Sequence, residues 1–166
     1  MLFIIQLFGL MGFLFLLFSY WRRDIQGVLL LQLFSGIFYA IHYYLLGATE
    51  GMLIVTFELF RDFTYYKTDL DQYIFIGTIP IYILFGIFTF HGFISLFPSF
   101  ASIIDGFSLT FQKKGAVFGA IISEILWLIY DAYSLSYVGI LTGIIMLISN
   151  FFVLFVSKDP LEKEDF

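Results

Sequence analysis

The chain has 166 residues, 61% of them hydrophobic and 22% aromatic, with 24 Phe, no Cys and only 13% charged residues; its mean hydropathy is +0.98. A soluble domain is roughly 45–50% apolar and about 25% charged, so there is too little polar surface here to coat a water-soluble globule. Soluble enzyme domains, nucleic-acid binders (the net charge is −5) and disulfide scaffolds are excluded together, and at ~20 residues per crossing the chain holds at most about eight membrane spans.

Hydrophobic runs separated by short polar breaks predict seven transmembrane helices, at 2–20, 27–46, 51–66, 73–90, 94–111, 116–134 and 137–156. The first has no basic n-region and no small-x-small cleavage site. Its arginines, Arg22 and Arg23, follow the apolar run instead of preceding it, so it is expected to stay as a span and is not a twin-arginine export signal. The third carries Glu58, Arg61 and Asp62 and the fifth carries Pro98 and Asp105, so a six-span chain with one re-entrant segment is the competing count.

Charge position arbitrates. With seven spans, Arg22/Arg23, Lys67, Lys113/Lys114 and Lys158/Lys163 all fall on one side of the membrane, while the opposite loops offer only Glu50 and His91. Dropping the third span moves Lys67 to the wrong side. The expected topology is N-terminus outside and C-terminus cytoplasmic, with the acidic stretch 158–166 as a solvated cytoplasmic tail.

A weak internal repeat accompanies this topology. Arg22-Arg23 recurs as Lys113-Lys114, each followed by a Gly and a long apolar span. A shift of 89 residues lays Ser35 on Glu124, Phe38 on Trp127, His42 on Asp131 and Arg61 on Asn150. Residues 1–67 are read as a first three-helix repeat, 68–92 as a linker helix and 93–157 as a second repeat. An odd linker gives both halves the same orientation, so the repeat is parallel.

An ionisable side chain at bilayer depth costs ~2.5–3.5 kcal/mol and is a functional candidate by default. On span two, Gln32, Ser35, Tyr39 and His42 follow helical spacing; span six places Glu124 and Asp131 seven apart, with Trp127 beside that stripe. Span five shows Ser95, Ser102 and Asp105 on one face, and span seven offers Thr142, Ser149 and Asn150. In span three, Arg61 can pair with Glu58 at i−3. Lipid solvates none of these, so they are expected to converge on a central hydrophilic cavity. Two roles stay open for Glu58, Arg61 and Asp62: a structural ion cluster fastening helices, or a solute site with a surplus carboxyl. For His42 and Asp131 an interfacial position and a gate are equally open. Tyr43, Tyr44, Tyr65, Tyr66, Tyr73, Tyr133 and Tyr137 read as aromatic belts, and Pro98 as a tolerated kink. Only His42 and His91 are histidines, there is no HExxH spacing and no Gly-rich phosphate loop, and Asp105-Gly106 matches an intramembrane aspartyl protease poorly. No enzyme, metal site or cofactor is expected.

The segment His42-Tyr43-Tyr44-Leu45-Leu46-Gly47, followed by Arg61 in the next span, resembles the bacterial inner-membrane YgjV family, which shows an H-aromatic-aromatic-L-L-G stretch and then a membrane Arg. Lys114-Gly115, Trp127-Leu128-Ile129-Tyr130-Asp131 and Asn150 are similar to that family's K-G, W-x-I-x-N and Asn positions. Asp131 stands where the family has Asn, and Glu58 where an Asn is expected; both departures add negative charge. The resemblance runs from about residue 32 to 155 and implies a bacterial inner-membrane location without fixing a substrate. The two halves are also similar in architecture to the SWEET sugar facilitators and the PnuC vitamin permeases. SWEETs carry prolines in four repeat helices where only span five has one here, and PnuC pockets are Trp-rich where this chain has only Trp21 and Trp127, so neither substrate class carries over.

The sequence therefore predicts an all-α polytopic membrane protein, seven helices in a 3+1+3 arrangement, acting as a permease for a small polar solute by alternating access. Arg61, Glu58, Asn150 and Trp127 are expected near the solute, and His42, Glu124, Asp131 and Asp105 along the pathway or in proton coupling. The lipid bilayer and an unidentified small polar solute are the expected partners; a homo-oligomer is left open. The alternative from another class is a non-transporting membrane scaffold or partner-binding subunit.

Overall fold

The computed structural model describes residues 2–22, 24–67, 71–108 and 113–155, with all side chains except those of residues 25, 62, 65–67, 71–76, 108 and 113–114. Every described element is helical: α1 (Leu2–Ser19), α2 (Ile25–Leu46), α3 (Thr49–Lys67), α4 (Asp71–Phe88), a 3-10 turn (Phe93–Leu96), α5 (Phe97–Ser108), α6 (Lys113–Ser134) and α7 (Tyr137–Phe155). Seven predicted spans thus correspond to seven α-helices. The one difference in form is the fifth, expected as a single span at 94–111. Its first residues form a 3-10 turn, and the α-helix starts only at Phe97. Pro98 falls in the first turn of α5, where its missing N–H needs no intrahelical partner. It therefore marks a helix start and not a kink within a span. Residues 109–111 and Val156 lie outside the described residues.

The helix ends follow from local chemistry. Asp24 caps α2 by accepting from the Gly27 N–H at 2.8 Å, a bond that holds its carboxyl below the usual carboxylate range. At the other end Gly47 takes a left-handed conformation, φ 74°, which glycine adopts without a Cβ clash. The Gly47 and Ala48 N–H groups then close on the Tyr44 and Tyr43 carbonyls at 3.0 and 2.9 Å, and α3 begins one residue later. A second tight turn joins α6 to α7 through Leu135, which sits at φ 58°.

Sequential helices pack side by side: α1 on α2, α2 on α3, α5 on α6, and α6 on α7. Contacts of α1 with α7 and of α3 with α5 close these six into a ring, and α4 lies against α3 and α5. The α1–α7 contact is fastened by Gln6, whose amide donates to the Leu135 carbonyl at 3.0 Å and accepts from the Val138 N–H at 3.2 Å. Tyr20 adds a hydrogen bond to the Met146 sulfur.

The burial pattern is inside-out. Ser19, Ser35, His42, Glu50, Ser95, Ser99, Ser102, Ser123, Asp131 and Ser136 are buried, while Phe3, Phe60, Phe88, Phe152 and Phe155 are exposed. Water does not tolerate such a surface, and hydrocarbon does. Among the described residues, α1, α2, α6 and α7 are long and apolar enough to cross a membrane. α3 is 19 residues long but carries Glu50, Glu58, Arg61 and Asp62, and α5 has only 12 residues.

Candidate functional site: a polar cavity inside the ring

The helix ring encloses a cavity of about 580 Å³, within the ordinary range for small-ligand sites. Its wall takes residues from α1, α2, α3, α5, α6 and α7. Of the eight residues singled out in the sequence, it brings seven together: Glu58, Arg61, Asp105, Glu124, Trp127, Asp131 and Asn150. Gln32, Ser35, Tyr39 and Thr142 complete much of its polar surface.

The polar groups fall into two sets. The first is satisfied by protein. Ser102 on α5 donates to Glu58 Oε1 at 2.7 Å, while Arg61 Nη1 lies 4.0 Å from the same oxygen and donates to the buried Tyr82 hydroxyl of α4 at 3.2 Å. The i−3 pairing expected of Arg61 and Glu58 is present, and through Ser102 and Tyr82 it joins α3 to α4 and α5. The Tyr39 and Thr142 hydroxyls meet at 2.6 Å, joining α2 to α7. The second set has no protein partner: Gln32, Glu124, Asn150 and the Trp127 indole N–H make no hydrogen bond or ion pair among the described residues.

At the end where α2, α3 and α6 meet, polar side chains pair across the helices. Tyr43 donates to Asp131 Oδ1 at 2.8 Å. Tyr130 donates to Glu50 Oε2 at 3.0 Å and accepts from the Gly51 N–H at 3.0 Å. The rings of Tyr43 and Trp127 stack with centroids 5.9 Å apart, and Tyr130 meets Trp127 edge-on. His91 Nδ1 donates to the Thr89 carbonyl at 2.9 Å and lies 2.8 Å from Glu50 Oε1, a buried oxygen that accepts no hydrogen bond among the described residues.

Several expectations about individual residues are corrected by this arrangement. His42 does not line the cavity. It is fully buried, with Nδ1 2.8 Å from the Ile5 carbonyl and Nε2 2.9 Å from Ser136 Oγ. A carbonyl only accepts, so Nδ1 carries the hydrogen and Nε2 accepts from the serine hydroxyl. The ring therefore ties α2 to α1 and α7 and has no free nitrogen to offer a pathway. Replacing it by Ala should cost about 3 kcal/mol, from the void and two orphaned partners, and should leave the cavity's ligand response unchanged. Thermal unfolding in detergent checks the first effect and a ligand titration the second. Tyr43, read as an aromatic belt, is buried and belongs to the cavity wall, whereas Tyr44, Tyr133 and Tyr137 are exposed as a belt requires. The side chains of Tyr65, Tyr66, Tyr73 and Asp62 lie outside the described residues. Ser95 leaves the expected face of span five because its hydroxyl donates to the Gly92 carbonyl within the 3-10 turn.

Tyr82, Tyr130 and Glu50 were not singled out by sequence reasoning, although all three hold the site together. The available signal was their position on helices facing a polar stripe, which becomes visible only once the neighbours of α4 and α6 are known.

Apolar helices of crossing length, an inverted burial pattern and an internal polar cavity define a polytopic helical membrane protein. The Imp-YgjV family of bacterial inner membrane proteins matches residues 3–158, and the chain belongs to that family. It is a multi-pass inner-membrane protein, as the resemblance around His42–Gly47 and Trp127–Asp131 implies. No curated protein and no solved structure shows significant similarity to it.

Proposed function

We propose that the protein is a permease for a small polar solute, working by alternating access between two parallel three-helix repeats joined by α4. The observation that carries this reading is the wall of the cavity. Gln32, Glu124, Asn150 and the Trp127 N–H come from three helices and find no partner among the described residues. An unsatisfied polar group in a dry apolar interior costs several kcal/mol, so water or solute must fill the space. The helix pairing supports the repeat: exchanging α1, α2 and α3 for α5, α6 and α7 turns every ring contact into another that is present, the α1–α7 contact becoming α5–α3. α3, α4 and α5 then cross as well, giving seven spans with the N-terminus outside. Arg22, exposed between α1 and α2, lies on the cytoplasmic side in that topology.

In this reading the paired end formed by Tyr43–Asp131, Tyr130–Glu50 and the Trp127 stack is the closed outer gate, and the solute enters from the other end. Glu58 or Glu124 is the candidate proton carrier. Uptake by reconstituted protein that ignores an imposed pH gradient eliminates coupling and leaves a facilitator.

The absence of native Cys makes the central test direct. Gln32→Cys and Asn150→Cys, both partly exposed on the cavity wall, should react with a water-borne maleimide in intact membranes. Ser102→Cys, buried against Glu58, should stay protected. Uniform protection of all three sinks the permease reading in favour of a non-transporting scaffold. The scaffold has one observation on its side, the use of Glu58 and Arg61 to fasten α3 to its neighbours. That use accounts for two wall residues and leaves the unpartnered ones unexplained.

A further inference from the structure

The cavity wall has a definite chemical character. Its ionisable residues are four acids, Glu58, Asp105, Glu124 and Asp131, and one base, Arg61. The base is already engaged with Glu58 and Tyr82. Glu58 accepts from Ser102 and Asp131 from Tyr43. Glu124 has no hydrogen-bond or ion-pair partner among the described residues and shares the cavity wall with Asp105, Asp131 and Glu58. With four acids and one base on the wall, a cation is accommodated there more readily than an anion.

Beside the acids lies a row of aromatic rings, of which Trp127 and Tyr39 are partly open and Tyr43 is buried between them. Tyr39 stacks on Tyr43 at 6.3 Å and Tyr43 on Trp127 at 5.9 Å between centroids, and all three line the cavity. Trp127 follows Glu124 by three residues on α6, so indole and carboxyl emerge on the same side of the helix. Faces of Trp and Tyr attract cations, and quaternary ammonium groups above all. A metal ion fits this wall poorly: among the described residues no three His, Asp or Glu converge closely enough to hold one. Spread carboxyls, a π surface and about 580 Å³ suit a larger, softer cation.

We infer that the cavity binds a small organic cation of the alkylammonium or quaternary ammonium class, its charged head held between the Trp127 ring and the Glu124 carboxyl. This deepens the permease reading and rests on the cavity being open to solute.

The chain's two tryptophans supply the readout. Trp21 is exposed at the end of α1, so Trp21→Phe leaves Trp127 as the sole indole, inside the cavity. That variant, purified in detergent, is titrated with choline, with butylammonium and with 3,3-dimethylbutan-1-ol, the uncharged molecule of choline's shape. Choline or butylammonium should change Trp127 fluorescence saturably, and choline should bind at least 10-fold more tightly than the alcohol. Glu124→Gln should remove that preference while Glu124→Asp keeps it, so loss of the carboxylate is told apart from misfolding. Equal binding of choline and the alcohol, or no response to either cation, overturns the assignment. Maleimide labelling of Asn150→Cys, a partly exposed wall position, on the same preparation separates the two levels. A labelled cavity without cation binding rejects the substrate class alone, and an unlabelled one rejects the permease reading with it.

Discussion

Arg61→Met should lower stability by about 3 kcal/mol, the lower end of what breaking a buried ion pair costs. The Arg61 and Glu58 side chains are 12% and 23% exposed, so the carboxyl left behind is poorly hydrated, and the Tyr82 hydroxyl, itself fully buried, loses the group it accepts for. Adding Glu58→Gln to Arg61→Met should restore most of the loss, because the stranded charge goes with it. Equilibrium unfolding of the two single variants and the double variant in detergent measures the coupling directly. A large coupling assigns the pair to fastening α3 against α4 and α5. Unchanged unfolding of Arg61→Met together with a lost ligand response would instead give the guanidinium to the solute.

An effect of similar size is expected where α1 meets α2. A Cβ on Gly12 would lie 2.9 Å from the Tyr39 ring and 3.1 Å from the Ser35 carbonyl oxygen. The backbone of α2 cannot retreat from that contact without separating the helices, and small residues at such crossings are what allow close approach in membranes. Gly12→Ile should therefore destabilise by about 3 kcal/mol and push Tyr39 off Thr142, the bond that holds α2 to α7. Gly12→Ala should cost visibly less. Thermal unfolding of both variants in one detergent supplies the comparison, and equal melting temperatures for Gly12→Ile and the parent protein would contradict the packing described.

The sequence makes the helices legible because apolar runs in this chain end at strong local signals: Asp24, Gly47, the Ser134–Ser136 turn and Pro98. It also makes the cavity legible in part. Glu58, Arg61, Glu124, Asp131 and Asn150 are costly in lipid, and cost alone predicts that they turn inward. It does not reveal which inward direction each takes. His42 and Tyr43 are adjacent, yet the 100° step between them sends one into α1 and α7 and the other onto Trp127. Aromatic residues near span ends are ambiguous for the same reason: Tyr44 is exposed and Tyr43 is buried, and nothing short of the positions of α6 and α7 distinguishes them. The partners Tyr82, Glu50 and Ser102 act across helices far apart in sequence, which a one-dimensional reading does not pair.

The amide of Gln6 joins residues 129 and 132 positions further along the chain. A polypeptide made and inserted from its N-terminus thus buries its first helix long before the acceptor and donor for that amide have been synthesised. Until Leu135 and Val138 arrive, α1 packs chiefly on α2, and the six-helix ring stays open at the α1–α7 seam. Closure of the ring therefore waits on the far end of its own sequence: α1 is fixed in place by a hairpin synthesised well over a hundred residues after it, and the cavity acquires its complete wall only when α7 enters the membrane.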